Sequence, residues 1–393
     1  MKNDSAFERL FLGVQDVIVR AKFEAKLKGK KKLRIKHGVD PTTQDLHLGY
    51  AVVYEKLRIL QEMGHTIVFL IGSFTGRFGD PTDKSETRAM RSKHEVLEAA
   101  VSYKRQLGKI LDTSLVELRE NGEWYDTMRA EDLLQLMSRT TTSRMMERDM
   151  FQERIKEGKE VRLHELAYPL LQGWDSVELK SDATVIGSDQ TFNELMGREL
   201  QQQERQAPQD LMIMPLLVGT DGVRKMSQSL GNHIGFDDAP EDMYGKVMSI
   251  ADEQILTYFT LVTRKTKKEI DEIASDLKKG GNPRNAKAAL AYEIVKTYHH
   301  EKNAKAAAEH FERVFTKKGQ PAEMSEIKTK KSMDVRDLIV TAGFAKSKSE
   351  AQRLVEQGAV KVGDKAIKDW KKKITLKKGD VLQVGKRHFA RIQ

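Results

Sequence analysis

A chain of 393 residues, 39% hydrophobic and 32% charged, has too much material for one small core and suits two to four domains. Its mean hydropathy is −0.56 and no run approaches the roughly 20 apolar residues of a membrane span; the absence of cysteine excludes disulfides, thiolate metal sites and cysteine nucleophiles and agrees with a reducing cytoplasm. The net charge of +10 is uneven, because residues 331–393 hold 16 Lys and Arg against 7 Asp and Glu while the other 330 residues are nearly neutral, which suggests either a polyanion bound at one end or a solvated lysine-rich surface.

Residues 1–27 mix acids and bases with apolar side chains spaced near 3.6 (Phe7, Leu10, Phe11, Val14, Val17, Ile18), which predicts an amphipathic helix and argues against a signal or transit peptide. A short strand over 33–39, a helix over 46–63 and an apolar strand over 66–72 make a strand–helix–strand unit. Such a unit implies parallel strands, a right-handed crossover and a ligand crevice at the carboxyl ends of the strands. The segment His47-Leu48-Gly49-Tyr50 falls at the start of the crossover helix, where amide donors and the helix dipole favour phosphate. By itself it also reads as an ordinary helix start.

Residues from about 86 to 165 are helix-rich, charged and poor in strand signals, and read as an insertion. Beyond them Tyr168, Gln172 and Asp175 fall at i, i+4 and i+7, one helix face carrying a phenol, an amide and a carboxylate. Core stripes are apolar, so this one reads as the wall of a pocket for a polar ligand. Strand-like segments return at 184–187 and 211–218, and the turn Gly187-Ser188-Asp189-Gln190 offers a carboxylate and an amide suited to ribose hydroxyls and an amino acid. A loop, Arg224-Lys225-Met226-Ser227-Gln228-Ser229-Leu230, precedes helical residues 241–315, a polar linker with Gly and Pro at 316–330, and a C-terminal pattern of two helices, a turn and a strand.

Taken together, the segments 40–50 and 224–230 resemble the HxGH and KMSKS signatures of class I aminoacyl-tRNA synthetases. The segments 69–72, 79–82, 168–177, 187–190, 193–199 and 214–217 extend the resemblance to the bacterial tyrosyl-tRNA synthetases over nearly the whole chain. The implied fold is α/β. A Rossmann-like parallel-sheet catalytic domain (1–235) carries the helical insertion; an α-helical anticodon-binding domain (236–315), the linker (316–330) and a small α+β S4-type RNA-binding domain (331–393) follow.

The resemblance implies that Asp80, Tyr168 and Gln172 hold the ammonium of tyrosine and that Asp175 accepts a hydrogen bond from its phenol, with Lys36 a further tyrosine-binding residue. Asp40, Asp189 and Gln190 would contact the adenylate, Gly49 would lie beneath adenine, Thr42 and His47 would meet the γ-phosphate, and Lys225, with Ser229 in the same loop, would grip pyrophosphate. Such chemistry rests on positioning and electrostatics. A buried carboxylate placed for a hydroxyl is left unpaired by phenylalanine, which favours tyrosine without an editing domain. In the S4 region, Lys346, Lys348, Arg353, Lys361 and Lys365 would form a phosphate-binding edge reading RNA shape and backbone. ATP with Mg²⁺, tyrosine and tRNA-Tyr are the implied partners, and a homodimer using the inserted region is the implied assembly.

Three positions depart from the family pattern: Lys36 stands where one branch has tyrosine, Tyr50 where a second histidine is usual, and Gln228 where the loop has its second lysine. Charged hydrogen bonds contribute about 1.5–3 kcal/mol against roughly 0.5–1.5 for neutral ones, so each loss in the ATP subsite predicts activation slower by one or two powers of ten. Lys84, Arg88 and Arg224 are the candidate compensating cations. The alternatives are a non-catalytic synthetase descendant that binds RNA, disfavoured by the intact tyrosine pocket, and an adenylate-forming enzyme with another acceptor, disfavoured by the S4 region.

Overall fold

The computed structural model describes residues 2–41, 45–79, 91–316, 324–329, 332–363, 365–367, 369–371, 373–385 and 388–393. These form two compact units, Met1–Ala304 and Lys305–Gln393.

The first unit is built on a six-stranded sheet of β1 (Asp16–Ile18), β2 (Arg34–Val39), β3 (Thr66–Ile71), β4 (Val116–Glu120), β5 (Ala183–Gly187) and β6 (Asp210–Met214), in the order β1-β6-β5-β2-β3-β4. All neighbours are parallel except β1, which runs antiparallel to β6. The uninterrupted apolar run of β3 follows from burial on both faces, the usual condition of an inner parallel strand. The chain winds outward from β2 to β3 and β4, then returns to the other side of β2 with β5 and β6. That reversal between β2 and β5 opens a crevice at their carboxyl ends.

Around the sheet lie α1 (Lys2–Phe11), α2 (Arg20–Lys28), the crossover helix α3 (Leu48–Glu62) and α4 (Lys93–Leu107). Four short helices follow: α5 (Gly122–Tyr125), α6 (Ala130–Met137), α7 (Thr142–Met145) and α8 (Asp149–Lys156). Then come the paired α9 (Leu163–Leu179) and α10 (Thr191–Gln203). α3 buries eleven consecutive-turn positions from Leu48 to Leu60, including Leu57, Ile59 and Leu60, because it is packed by the sheet, by α1 and by the later helix α12. α9 and α10 cross closely enough that a Cβ added to Gly173 would lie 2.9 Å from the Gly197 amide nitrogen. A side chain at either glycine would push the helices, and the pocket wall on α9, apart.

Two expectations are corrected. Residues 1–27 form two helices separated by β1: Gly13 takes φ 71°, in the left-handed region, just beyond α1. The ammonium of Lys56 then receives the freed carbonyls of Arg9 (2.9 Å) and Leu12 (2.6 Å) as hydrogen-bond acceptors. The segment 86–165 contributes, besides its helices, the edge strand β4; its Val-Glu-Leu-Arg-Glu sequence has no buried residue, four being half-buried and Leu118 exposed, so it carries little apolar signal.

After β6 come α11 (Pro240–Met248), α12 (Ile255–Val262), α13 (Lys267–Lys278) and α14 (Pro283–Phe311), the last broken at His300 and belonging to the first unit as far as Ala304. In the second unit, β7 (Ser325–Ile327), β9 (Val360–Val362), β10 (Lys365–Ala366), β12 (Val381–Val384) and β13 (His388–Ile392) form one sheet, and β8 (Ser332–Asp334) pairs with β11 (Lys373–Thr375). Helices α15 (Val335–Thr341) and α16 (Lys348–Glu356) close a small core that includes Val335, Leu338, Val355, Val360, Leu382 and Ala390.

Candidate functional site

The crevice between β2 and β5 encloses a cavity of about 290 Å³. The sequence-predicted residues Lys36, Asp40, His47, Gly49, Tyr50, Tyr168, Gln172, Asp175, Asp189, Gln190, Lys225, Gln228 and Ser229 all line it. Thr42, Asp80 and Lys84 lie outside the described residues.

At one end α9 presents its polar stripe. The Tyr168 hydroxyl donates to Asp40 Oδ2 at 2.8 Å, and Thr75 Oγ1 donates to Asp40 Oδ1 at 2.7 Å. Asp175 accepts from the Trp124 indole at 3.1 Å and lies 3.5 Å from the Asn121 amide, with burial pushing its carboxyl up to about 8 against the opposing pull of Lys36 and of these donors. Gln172 is fixed at both ends of its amide: Nε2 donates to Glu194 at 2.9 Å and Oε1 accepts from Asn193 at 2.7 Å. Lys36, from β2, reaches beneath α9 to an ion pair with Glu194 at 2.9 Å.

The other end is built from the start of α3 and the 224–230 loop. His47 caps α3, its Nδ1 accepting from the Gly49 amide at 3.2 Å. Burial first, then the nearby His233 and Lys225, bring its pKa down to about 3. The imidazole is therefore neutral, and the Gly49 bond to Nδ1 leaves the proton on Nε2 as a donor. A Cβ on Gly49 would stand 2.8 Å from His47 Cε1, so a larger residue there would displace the ring. Tyr50 packs on His47 at 4.7 Å between ring centres and continues into Tyr54 and Tyr103.

The segment just after the loop is tied to the start of α3 by backbone pairing: the Leu48 amide donates to the Ile234 carbonyl, and the Phe236 amide to that of Leu46, each at 2.9 Å. Lys225 forms an ion pair with Asp189 at 3.4 Å, and Gln228 Nε2 donates to the Asp45 carbonyl at 2.7 Å. Gln228 thus joins the loop to the segment before α3, while Ser229 and Ser227 share a hydroxyl hydrogen bond at 2.9 Å.

Sequence reasoning missed Thr75, Asn121, Trp124 and Glu194. Each reaches the cavity or its charged groups from an element distant in sequence. The usable signal was Lys36-His37, two polar residues inside a strand that the sheet buries.

In the second unit Lys346, Lys348, Arg353, Lys361 and Lys365 are all exposed. Lys346 lies just before Ser347, the cap of α16, and its amide donates to Glu350 at 2.7 Å. Lys348 pairs with Asp337 at 2.6 Å.

The profile of the family described as tRNA synthetases class I (W and Y) matches residues 28–316, and that of the S4 domain matches 337–382. A tyrosine–tRNA ligase of Thermotoga maritima is 49% identical over 96% of this chain and 95% of its own length. Tyrosine–tRNA ligase 2 of Vibrio parahaemolyticus is 45% identical over 99% and 98%. Among solved structures, the C-terminally truncated mitochondrial tyrosyl-tRNA synthetase of Aspergillus nidulans shares the fold at a TM-score of 0.65 and 22% identity, covering 79% of this chain and 93% of that one. The Archaeoglobus fulgidus tyrosyl-tRNA synthetase complexed with L-tyrosine does so at 0.61 and 23%, covering 78% and 99%. The chain therefore belongs to the class I tRNA synthetases of the tryptophan and tyrosine type and, within them, to the tyrosine–tRNA ligase family with a C-terminal S4 domain.

Proposed function

We propose that the protein activates tyrosine with ATP and transfers the tyrosyl group to the 3′ end of tRNA-Tyr. The observation that supports this best is the single cavity holding a buried carboxylate at one end and a capped helix start with a lysine loop at the other. A phenol can meet Asp175 while the amino acid's carboxylate points toward the phosphate end. In the activation step a tyrosine carboxylate oxygen attacks the α-phosphorus of ATP, which enters as its Mg²⁺ complex. The new O–P bond forms as the bond to the bridging oxygen breaks, and pyrophosphate leaves with that electron pair.

Tyr168, Gln172 and Asp80 would hold the ammonium, and Asp40, Asp189, Gln190 and Gly49 the adenosine portion. Thr42 and the neutral His47 would donate hydrogen bonds to the γ-phosphate, and Lys225, with Tyr50, Gln228, Ser229 and Lys84, would meet the pyrophosphate. A neutral imidazole donor costs no proton transfer during the step and is already oriented by the Gly49 amide. The exposed basic residues of the S4 unit would bind tRNA backbone.

A homodimer is proposed as well. Among the described residues, seven of the eleven exposed large hydrophobic side chains (Val101, Leu115, Leu118, Leu134, Met137, Ile155, Leu163) fall within 86–165, the inserted segment. A cytoplasmic location is proposed with it; no helix among the described residues is long and apolar enough to cross a membrane.

The test is tyrosine-dependent ATP–pyrophosphate exchange by the purified protein, with phenylalanine as control and tRNA absent. Exchange with tyrosine alone is expected. A folded protein that binds tyrosine without exchange would be the RNA-binding descendant instead.

A further inference from the structure

Beneath the α9 wall lies a buried ion pair to which no role has been given. The Lys36 side chain is 1% exposed and that of Glu194, on α10, is 2% exposed. Besides Glu194, the Lys36 ammonium donates to Ser176 Oγ at 2.6 Å and lies 3.5 Å from the Gln172 carbonyl oxygen. Glu194 accepts from Gln172 at Oε1 (2.9 Å) and from Gln209 at Oε2 (2.7 Å). Ser176 and Gln172 flank Asp175 on the same helix, so the ammonium sits under the residue whose carboxyl faces the cavity. Yet Lys36 forms no ion pair with Asp175 among the described residues. Glu194 and Ser176 hold the ammonium aside: its field reaches Asp175, while the carboxyl oxygens of Asp175 stay open to the cavity and to the neutral donors Trp124 and Asn121.

We propose that Lys36 and Glu194 act as a positioning pair that governs how well Asp175 accepts a hydrogen bond from a para-hydroxyl ring, and hence how well the site separates tyrosine from phenylalanine. The inference rests on the tyrosine reading given above. Its physical basis is placement. Without Lys36, Asp175 faces Asp40 with no cation beneath it and holds its proton more tightly. Without Glu194, the ammonium is free to swing onto Asp175 and occupy the acceptor that the substrate needs. The charged or titratable groups that act on Asp175 are Lys36 of β2, Asp40 just after it and Tyr125 of α5, with Glu194 of α10 facing the Lys36 ammonium. Of the charged groups acting on it, Lys36 favours the carboxylate and Asp40 opposes it.

The decisive experiment measures pyrophosphate exchange from pH 6 to 9, with tyrosine and with phenylalanine, for the unaltered protein, Asp175→Asn, Lys36→Met, Glu194→Gln and the double variant Lys36→Met/Glu194→Gln. The double variant removes both charges at once and so avoids leaving one buried charge unpaired; an unchanged KM for ATP reports that it is folded. We expect its kcat/KM for tyrosine to fall about ten-fold or more at pH 7 with the phenylalanine value little changed, and the acid limb of its tyrosine profile to move to higher pH. Glu194→Gln should instead raise KM for tyrosine across the whole range. A tyrosine-to-phenylalanine ratio and an acid limb that stay where they were in the double variant would overturn the inference alone. No tyrosine-dependent exchange by the unaltered protein, or an Asp175→Asn variant that discriminates as well as the parent, would overturn the tyrosine reading and the inference with it.

Discussion

Asp175 and His47 face the same cavity, and burial drives both away from their charged forms, the carboxyl up to about 8 and the imidazole down to about 3. The two shifts act on stability in opposite pH directions. For Asp175 the folded value lies above the unfolded one, so its contribution is complete below about pH 4 and is lost as pH rises through about 8, at roughly 1.4 kcal/mol per unit. For His47 the folded value is depressed, so its contribution is present above about 6.5 and is lost as pH falls toward about 3. Asp175→Asn keeps an acceptor for Trp124 and cannot ionise. Denaturant unfolding without substrate should therefore show this variant gaining stability relative to the parent between pH 5 and pH 8. Equal differences at both values would mean that Asp175 does not titrate in this range. The stripe Tyr168, Gln172, Asp175 was legible because helical spacing puts its members on one face. Its partners were not, since Lys36 and Glu194 are 158 positions apart in the chain and nothing local marks them as neighbours.

At the scale of elements, the start of α3 is joined to the segment that follows the 224–230 loop, because the backbone of 46–48 pairs with that of 234–236, and to the loop itself through Gln228. The strand–helix–strand unit was read correctly from its apolar periods. That pairing could not be, since it joins loops that carry no periodicity. Gly49→Ala would bring a Cβ to within 2.8 Å of His47 and move the imidazole. We expect about a ten-fold or greater fall in exchange rate with KM for tyrosine unchanged; a rate equal to the parent's would remove His47 orientation from the account. Gln228→Lys restores a charged donor but gives up the amide that now meets the Asp45 carbonyl. Activation is expected to quicken by about one power of ten, and single-turnover measurement showing no change would end the argument that this loop is attenuated. β4 escaped detection for a related reason: an edge strand with no buried residue offers no alternating or continuous apolar pattern.

At the scale of the whole molecule, the concentration of exposed apolar residues in one fifth of the chain predicts self-association. Sedimentation should give twice the 44.8 kDa chain mass, and Ile155→Asp with Leu163→Asp should shift it to that of a single chain. A single-chain mass for the unaltered protein would leave these residues without that explanation. The charge surplus of the last 63 residues was plain in composition, but their sheet and core also take in β7 and Ile327 from the segment 316–330, which was expected to be a linker. The place of β1 in the first unit was hidden, because it depends on a strand made almost two hundred residues later. β1 has one ladder partner, β6, and β6 ends at Met214. During synthesis the N-terminal segment is thus present long before the strand that receives it. A chain halted before residue 214 has β2 and β3 ready to pair but leaves β1 unpaired, an open edge available to other chains. Closure of this sheet then waits until synthesis has passed the middle of the chain, a delay fixed by strand order rather than by local propensity.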